Sequence, residues 1–439
     1  MIMECFNRLF PINRSLTGDG VRESLRILGE IVPIRQSEYP SGMDCFDWTV
    51  PKEWNVRSAC VKTRDGRTLI DFRDHNLHLV GYSVPVRATV SREELLARLH
   101  TRPDLPDAIP YVTSYYKEYW GFCVQHRRLA EFTDDEYEVV IDATLEDGHL
   151  TIGEGFIQGE TDREILFSTY LCHPSMAINE LSGPLVQTFV YKKLLEMQKR
   201  KALKYSYRFL YVPETIGSIL YLSQHGEELK AKVDAGYVVT CAGHGPSYTY
   251  KKSRRGDSLA DKAALHVLSR SGRPYRTVEW SPVGSDERQY GSQAFNLPVG
   301  SLMRTPYLEY KEYHTSMDNE SLISEEALQE TVRTYLDIVE TLEANEIYVS
   351  NHTHGEPKLD KHGVYPTIGG QRTEEQRRRL FMISYLLAFS DGKHDLMDVA
   401  DKLGVVGKDL WETAKLLEDK GLLRKANGTE PAAAAGTFN

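Results

Sequence analysis

Four short segments that are almost wholly apolar constrain this chain more than any other feature of its sequence. They are Ile165–Leu171, Tyr207–Val212, Tyr237–Thr240 and Pro298–Leu302. Stretches with helical periodicity separate them. Gly183 and Pro184 open one helix, because proline fits a first helical turn, and Ser324 caps another that runs to Glu343. Buried strands that alternate with helices predict an α/β fold, an α/β/α sandwich around a largely parallel sheet.

From about residue 44 to residue 159 the sequence has a different pattern, in which short alternating runs, Tyr137–Ile141 among them, are broken by turn residues. Cys60–Thr63 and Thr68–Ile70 flank an Asp-Gly pair, which favours the type I′ turn of a β-hairpin. His78–Tyr82 is a further predicted strand. We therefore expect a β-rich insert domain at 44–124, within a discontinuous α/β domain formed by 1–43 and 125–350.

The C-terminal part of the chain has the pattern of a winged helix. After a linker at 351–370, residues 371–427 contain three predicted helices and a strand: Glu374–Phe389, Asp395–Leu403, Lys408–Lys420 and Leu422–Arg424. From 371 to 430 the chain has 11 Lys and Arg residues against 11 Asp and Glu residues, whereas DNA-binding domains carry an excess of positive charge. We expect a structural or protein-docking role here, and a disordered tail at 428–439.

Charge and cysteine usage restrict the partners and the compartment. The net charge of −10 at pH 7 weighs against nucleic acid as a partner. The most apolar window, Leu380–Phe389, is about half the length that a bilayer span requires, and the first residues contain no apolar run of signal-peptide length. Six scattered cysteines without a CxxC pair favour free thiols in a reducing compartment. We expect a cytoplasmic protein without membrane contact, which can form a homo-oligomer.

Four positions place metal-binding residue types just beyond strands or in neighbouring loops. His173 follows the first apolar strand, Glu214 follows the second, Asp286 lies in a Gly-Ser-Asp loop, and His314 precedes the last helix of the α/β domain. Ligands in open α/β sheets bind beyond the carboxyl ends of strands, so these side chains can converge. Two imidazoles and two carboxylates suit Zn²⁺. Such an ion lowers the pKa of water to near neutrality, and a carboxylate can take its proton.

Other chemistry-bearing residues fit this picture less well. Cys172 and His173 do not form a nucleophile and base, because neighbours on a strand point to opposite faces. No HExxH sequence is present, which excludes the helical zincin arrangement. We interpret His352 and His354 in the linker, and the basic run at 251–255, as solvated loop residues. The basic run can also hold an acidic substrate, as can Arg288 and Arg304 near the proposed ligands.

The order of these segments resembles that in the co-catalytic zinc aminopeptidases, the family of bacterial leucyl aminopeptidases and glutamate carboxypeptidase relatives. The matching phrases are Cys172-His173-Pro174, Asn179-Glu180-Leu181-Ser182-Gly183, Pro213-Glu214-Thr215-Ile216-Gly217-Ser218, Gly284-Ser285-Asp286 and Tyr313-His314-Thr315. From residue 5 to residue 425 the chain is similar to a bacterial branch that carries a β-rich insert and a C-terminal winged helix and is associated with polysaccharide biosynthesis. The phrases of that branch are Phe10–Gly18, Tyr111–Tyr116 and Trp120–Cys123.

Two departures from the family pattern bear on the number of metal ions. Asn179 stands where the family has an aspartate that bridges two metals, and a neutral amide is a poor bridge between two cations. The family has two successive acids where this chain has Glu214 followed by Thr215, although Glu180 can restore an acid to the site. The resemblance therefore implies one zinc ion more readily than two.

The resemblance also implies roles for individual residues. Glu214 is the expected catalytic base, and it can also serve as a ligand. The expected metal ligands are His173, Asp286, His314, Glu214 and Asn179, and the expected substrate-binding residues are Glu180, Glu287, Arg288, Arg304 and Tyr313.

Three functions remain open on the sequence alone. The first is an aminopeptidase-type zinc hydrolase that cleaves an amide next to a free amine in a small peptide or aminoacyl substrate. The second is a biosynthetic amidase or deacylase that acts on an aminoacyl or amino-sugar intermediate, which the departures at Asn179 and Thr215 favour. The third is a non-catalytic scaffold or regulator that uses the winged helix.

Overall fold

The computed structural model describes residues 1–365 and 373–426, which form two compact units. The first unit consists of residues 1–261 and 273–333. The second consists of residues 262–272 and the described residues from 334 onward. The predicted tail at 428–439 and the last part of the predicted linker, 366–370, lie outside the described residues.

The helices and strands of the described residues are numbered here in chain order. The α-helices are α1 (Ile2–Leu9), α2 (Asp19–Gly29), α3 (Arg92–Leu96), α4 (Ser182–Gln198), α5 (Ile216–Lys232), α6 (Leu259–Leu268), α7 (Glu287–Tyr290), α8 (Glu325–Ala344), α9 (Glu374–Phe389), α10 (Leu396–Leu403) and α11 (Gly407–Asp419). The strands are β1 (Arg35–Pro40), β2 (Asp44–Cys45), β3 (Trp48–Thr49), β4 (Glu53–Thr63), β5 (Thr68–Asp71), β6 (Val86–Ser91), β7 (Leu99–His100), β8 (Phe122–Cys123), β9 (Glu136–Glu146), β10 (His149–Ile157), β11 (Glu164–Tyr170), β12 (Ser206–Val212), β13 (Val233–Val239), β14 (Tyr248–Lys251), β15 (Tyr275–Val278), β16 (Val299–Met303), β17 (Ile347–Ser350), β18 (Asp391–Asp395) and β19 (Leu423–Lys425). Short 3₁₀ helices span Asn76–His78, His126–Glu131 and Leu359–His362, and a π-helix spans Ala177–Leu181.

The first unit is built on an eight-stranded sheet with the order β1-β10-β12-β11-β13-β16-β14-β15. Its four central strands, β12, β11, β13 and β16, run parallel to one another, and antiparallel neighbours flank them on both sides. Every residue of β11, β12 and β16 is buried, as expected for strands covered on both faces. The predicted α/β architecture with a largely parallel centre is confirmed.

Helices cover both faces of this sheet, as two neighbouring residues of β12 show. The ring of Phe209 stacks on Tyr191 of α4, with 4.3 Å between centroids. The guanidinium of Arg208 donates a hydrogen bond to the Tyr221 hydroxyl of α5 at 2.8 Å. Because successive residues of a strand point to opposite faces, α4 and α5 lie on opposite sides of the sheet.

The β-rich insert contains a four-stranded antiparallel sheet with the order β5-β4-β9-β6. The predicted hairpin is present as β4 and β5. The expected end of the insert at residue 124 is wrong, however, because β9, which lies beyond that residue, pairs with both β4 and β6. Trp54 and Val139 of this sheet belong to the same buried apolar cluster as Leu166 and Leu210 of the central sheet, so the insert and the α/β layer share one core.

The predicted strand at His78–Tyr82 is also wrong. Asn76–His78 forms a 3₁₀ helix, and the following residues make only isolated bridges, from Leu79 to Phe122 and from Gly81 to Thr113. Burial explains the apolar pattern without a ladder, since Leu79 and Val80 are buried in the insert.

The second unit contains a three-stranded antiparallel sheet, β18-β17-β19, packed with helices α9, α10 and α11. Capping boxes start two of these helices, at Thr373 with Gln376 and at Asp395 with Asp398. The expected domain boundary at residue 350 is wrong, because β17 is the central strand of this sheet. None of the helices among the described residues combines the length and the apolar character that a bilayer span requires.

Candidate metal centre

The loops that follow β11 and β12 bring His173 and Glu214 together. His173 lies three residues beyond β11 and Glu214 two residues beyond β12, and these strands are adjacent and parallel. Their side chains meet, with 3.7 Å between His173 Nε2 and Glu214 Oε2. The ring of His314 lies on the same side, with its centroid 5.3 Å from that of His173. The predicted convergence at the carboxyl end of the sheet is present for these three residues.

Asp286 lies next to the segment that contains Glu214, which donates hydrogen bonds to it. Its Oδ1 accepts from the backbone N–H of Thr215 and from the Ser218 hydroxyl, both at 2.8 Å. The neighbouring Ser285 hydroxyl donates to Glu214 Oε1 at 2.8 Å. These bonds fix the two carboxylates side by side, and Asp286 is fully buried.

His173 is oriented by a buried carboxylate. Its Nδ1 lies 2.7 Å from Glu180 Oε2, and Glu180 Oε1 accepts the backbone N–H of Cys172 at 2.6 Å. Arg14 donates to the carbonyl oxygen of His173 at 3.0 Å and lies 3.7 Å from Glu180. A carboxylate at one imidazole nitrogen directs the other nitrogen towards a metal. Glu180, which the sequence assigns to substrate binding, is fully buried and committed to His173.

His314 is held with its backbone in the left-handed region, at φ 56°. Its carbonyl oxygen accepts the N–H of Tyr111 at 2.9 Å, and its ring stacks on Tyr313 with 3.9 Å between centroids. The ring of Tyr111 contacts both His173 and His314, at 5.2 Å from each. Burial, with the nearby His173, lowers the pKa of His314 to about 3, so this imidazole is neutral, which is the form that binds metal.

Unpaired polar atoms and carboxylate charge are the features of the site that a divalent cation would satisfy. Asp286 Oδ2 and His314 Nε2 are buried without a hydrogen-bond partner, which is costly unless a ligand satisfies them. Burial and the adjacent charge of Glu214 raise the pKa of Asp286 to about 7, and burial also raises the pKa of Glu214. A cation would relieve both shifts.

The one set of three ligand-type side chains that the described residues bring this close together is a different set. Cys172, His173 and Glu180 offer one ligand atom each within 4.8 Å of one another. His173 Nδ1 is already hydrogen-bonded to Glu180, and burial raises the pKa of the Cys172 thiol to about 11. A protonated thiol opposes metal binding. These three residues are therefore better explained as the support of His173.

Asn179, the remaining predicted ligand, is held within the protein. Its side-chain oxygen lies 3.2 Å from the Tyr170 hydroxyl, and its backbone N–H donates to Asp318 at 3.0 Å. Asp318 also accepts the N–H groups of Ala177 and Ile178, which fixes the start of the π-helix, a feature often found at functional sites. Asn179 carries no unpaired buried atom among the described residues, so we leave it out of the proposed ligand set.

Thr215 is the centre of a strained turn beside the two carboxylates. Its φ of 67° and ψ of −72°, with a hydrogen bond from the N–H of Ile216 to the carbonyl of Glu214 at 2.8 Å, define the rare form of γ-turn. Such strain is stored at functional sites. Arg288, a predicted substrate-binding residue, donates a hydrogen bond to the Thr215 hydroxyl at 2.7 Å. Arg288 therefore lies at the site.

The other predicted substrate-binding residues divide into two groups. Glu287 is fully buried and pairs with Lys251 at 2.8 Å. Arg304 is buried and donates to the carbonyl of Gly245 at 2.7 Å and to Glu330 at 3.1 Å. Both are engaged by this chain, and we do not carry their predicted role further. Tyr313 is half-buried beside His314 and lines a cavity of about 310 Å³, so its role stays a prediction.

The residues that the sequence argument missed act on the ligands through hydrogen bonds. Ser285 and Ser218 lie within the quoted phrases but were not given roles, although hydroxyls next to candidate carboxylates are a usable signal. Arg14 and Tyr111 also lie within quoted phrases, but they and Asp318 are distant in sequence from the residues they contact, so local spacing gave them no role.

Comparisons with known proteins agree with this architecture. A family model described as domain of unknown function DUF4910 matches residues 3–345, and a winged helix-turn-helix model matches residues 346–425. A Clostridium acetobutylicum protein, named provisionally as a polysaccharide biosynthesis protein with an aminopeptidase-like domain, is 45% identical over 423 residues, which cover 96% of each chain.

Solved structures extend the comparison to the fold. The crystal structure of a C. acetobutylicum protein, named provisionally as a peptidase, is 43% identical with a TM-score of 0.88, covering 97% of this chain and 96% of that one. A zinc aminopeptidase from Bacillus subtilis is 12% identical with a TM-score of 0.54, covering 78% of this chain and 94% of that one. That identity supports an aminopeptidase-like fold and nothing finer. The chain belongs to the DUF4910 family, and a winged helix-turn-helix domain follows its family domain.

Proposed function

We propose that this chain is a metal-dependent hydrolase of amides, with one zinc-class ion bound by His173, Asp286 and His314. The observation that carries the proposal is the pair of unpaired, buried atoms, Asp286 Oδ2 and His314 Nε2, on the side of the sheet where His173 Nε2 faces Glu214. The aminopeptidase-like fold agrees with this chemistry. When bound, zinc lowers the pKa of a coordinated water towards neutrality and polarises a carbonyl group.

Glu214 is the proposed general base. Its Oε1 is held by the Ser285 hydroxyl, and its Oε2 faces His173 Nε2, so one oxygen is fixed while the other is free to exchange a proton. Its side chain is 26% exposed, whereas Asp286 is fully buried. That difference in exposure supports Glu214 as the carboxylate that takes a proton from water and passes it to the leaving amine.

The proposal is tested by metal content together with turnover. The protein is loaded with Zn²⁺, its metal is counted, and hydrolysis is measured on aminoacyl, N-acetyl and N-succinyl p-nitroanilides. Glu214→Gln is expected to lower kcat about 10²- to 10⁴-fold and to keep the metal. Glu227→Gln is the matched control, because Glu227 is exposed on α5, the helix that follows Glu214. Unchanged turnover in Glu214→Gln would refute the assigned base.

Two candidate substrate classes follow from the same site. An aminopeptidase requires groups that bind a free amine next to the cleaved amide. A biosynthetic amidase or deacylase does not, and the name of the C. acetobutylicum relative includes polysaccharide biosynthesis. Glu180 and Glu287, the acids among the predicted substrate-binding residues, are committed to His173 and Lys251 and are not available to bind an amine. We therefore favour the biosynthetic amidase, with the aminopeptidase as the second candidate.

A further inference from the structure

Arg288 contacts the position at which the family pattern that this sequence resembles has a second acid. In this chain that position is Thr215, whose hydroxyl accepts a hydrogen bond from Arg288 Nη2 at 2.7 Å. Thr215 is itself fixed, because its N–H donates to Asp286 and its γ-turn has one backbone geometry. Arg288 follows Asp286 by two residues, on the short helix α7. A guanidinium is thus held beside the proposed ligands.

The guanidinium of Arg288 is far from saturated. The guanidinium of arginine has five N–H donors. The hydrogen bond to Thr215 is the one that the guanidinium of Arg288 makes to the described residues. Its Nε is buried without a partner among the described residues, and its charge acts on Glu214 without a hydrogen bond between the two side chains. Arg208 of the same unit contrasts with it, because Arg208 is bound by Glu154 and Glu164. Arg288 therefore retains donors for an external acceptor, and its side chain is half-buried rather than sealed.

The charges of the site favour an anionic acceptor. One divalent ion balances the two carboxylates, Glu214 and Asp286, and Arg288 then leaves one positive charge in excess. A fixed positive charge at this place repels a second metal ion and repels a protonated amine. The planar fork of arginine matches a carboxylate in a bidentate arrangement.

We infer that Arg288 takes the place of a second metal ion and binds a carboxylate of the substrate, next to the amide that is cleaved. This inference rests on the proposed function, because it assumes one bound ion. It narrows the substrate class to amides that carry a carboxylate, and it excludes a free amine as the group beside the cleaved bond.

The test uses two probes of equal length on the full, zinc-loaded chain. Both carry a hydroxamate that binds zinc. Succinate monohydroxamate adds a carboxylate, and β-alanine hydroxamate adds an amine at the same distance. Titration calorimetry is expected to show at least about tenfold tighter binding of the carboxylate probe. Arg288→Gln is expected to remove most of that preference, and Arg288→Lys, which keeps the charge, to retain part of it. Arg200→Gln is the control for charge loss, because Arg200 is exposed.

Each outcome separates this inference from the proposed function. One zinc per chain with a carboxylate preference that depends on Arg288 supports both. Two zinc ions per chain, an amine preference, or a preference unchanged in Arg288→Gln overturns the role of Arg288 and leaves the metal-dependent hydrolase standing. Failure of the wild-type chain to bind zinc overturns the proposed function, before any probe is added. If Arg288→Gln does not fold, Arg288→Lys and the wild-type preference still decide the question.

Discussion

Arg14 Nε donates a hydrogen bond of 3.0 Å to the carbonyl oxygen of His173, although the two residues are 159 positions apart. The same nitrogen lies 3.7 Å from Glu180, which is hydrogen-bonded to the ring of His173. Arg14 and Glu180 are both fully buried at their side chains. The N-terminal segment thus supplies the charge that balances the carboxylate behind the proposed ligand.

Arg14→Met is expected to destabilise the fold strongly. Removing one partner of a buried ion pair leaves an uncompensated charge and costs about 3–5 kcal/mol in the free energy of unfolding. Adding Glu180→Gln is expected to recover part of that loss, because it removes the orphaned charge. Denaturant unfolding of the single and double variants measures both effects. A loss below about 1 kcal/mol for Arg14→Met would show that the pair is not a structural one.

Glu180→Gln alone is expected to weaken metal binding without abolishing it. The carboxylate at His173 Nδ1 fixes the tautomer and the basicity of the ligand, and such partners contribute about 10- to 100-fold to metal affinity. A competition titration with a zinc indicator measures the change. An affinity equal to that of the wild type would contradict the proposed role of Glu180.

His314→Asn is expected to reduce zinc affinity more than Glu180→Gln does, by at least about 100-fold, because it removes a ligand rather than a supporting group. His149→Asn is the matched control, since His149 is exposed on the first unit. The same indicator titration serves here. Equal affinities for the His314→Asn and His149→Asn variants would exclude His314 from the ligand set.

Acid stability is expected to depend on Glu53. Arg22 binds both oxygens of Glu53 at 2.7 Å, and this hydrogen bonding lowers the pKa of Glu53 from 4.5 to about 2. Because the folded value lies below the unfolded value, the contribution is complete above pH 4.5 and is lost as the pH falls from 4.5 towards 2. Glu53→Gln should flatten the fall in Tm over this range relative to the wild type. An identical slope in the two proteins would contradict the shift.

The sequence predicted the parts of the fold that depend on local pattern. The apolar segments near 165, 207, 237 and 298 are the four parallel strands of the central sheet. They could be predicted because a buried strand has a short apolar run and its flanking helices have helical periodicity. His173 and Glu214 could be placed for the same reason, since each follows one of these strands. Parallel neighbours then bring their carboxyl ends together.

The remaining features depend on contacts between distant segments. β9 belongs to the insert and β17 to the winged helix because of the strands with which they pair. The alternation of polar and apolar residues predicts a strand but does not predict its pairing partner. The sequence predicts Glu180 as an acid that is available to the site. The structure shows instead that Glu180 contacts His173 and Arg14. The hydrogen bond between Arg288 and Thr215 likewise depends on a γ-turn that no local sequence pattern predicts.

The central claim is that His173, Asp286 and His314 bind one divalent ion. Crystals of the zinc-loaded protein, measured on both sides of the zinc absorption edge, give an anomalous difference map that locates the ion directly. A single peak per chain is expected, in contact with His173 Nε2, Asp286 Oδ2 and His314 Nε2. A map without a peak there, or with the ion at Cys172 and Glu180 instead, would contradict it.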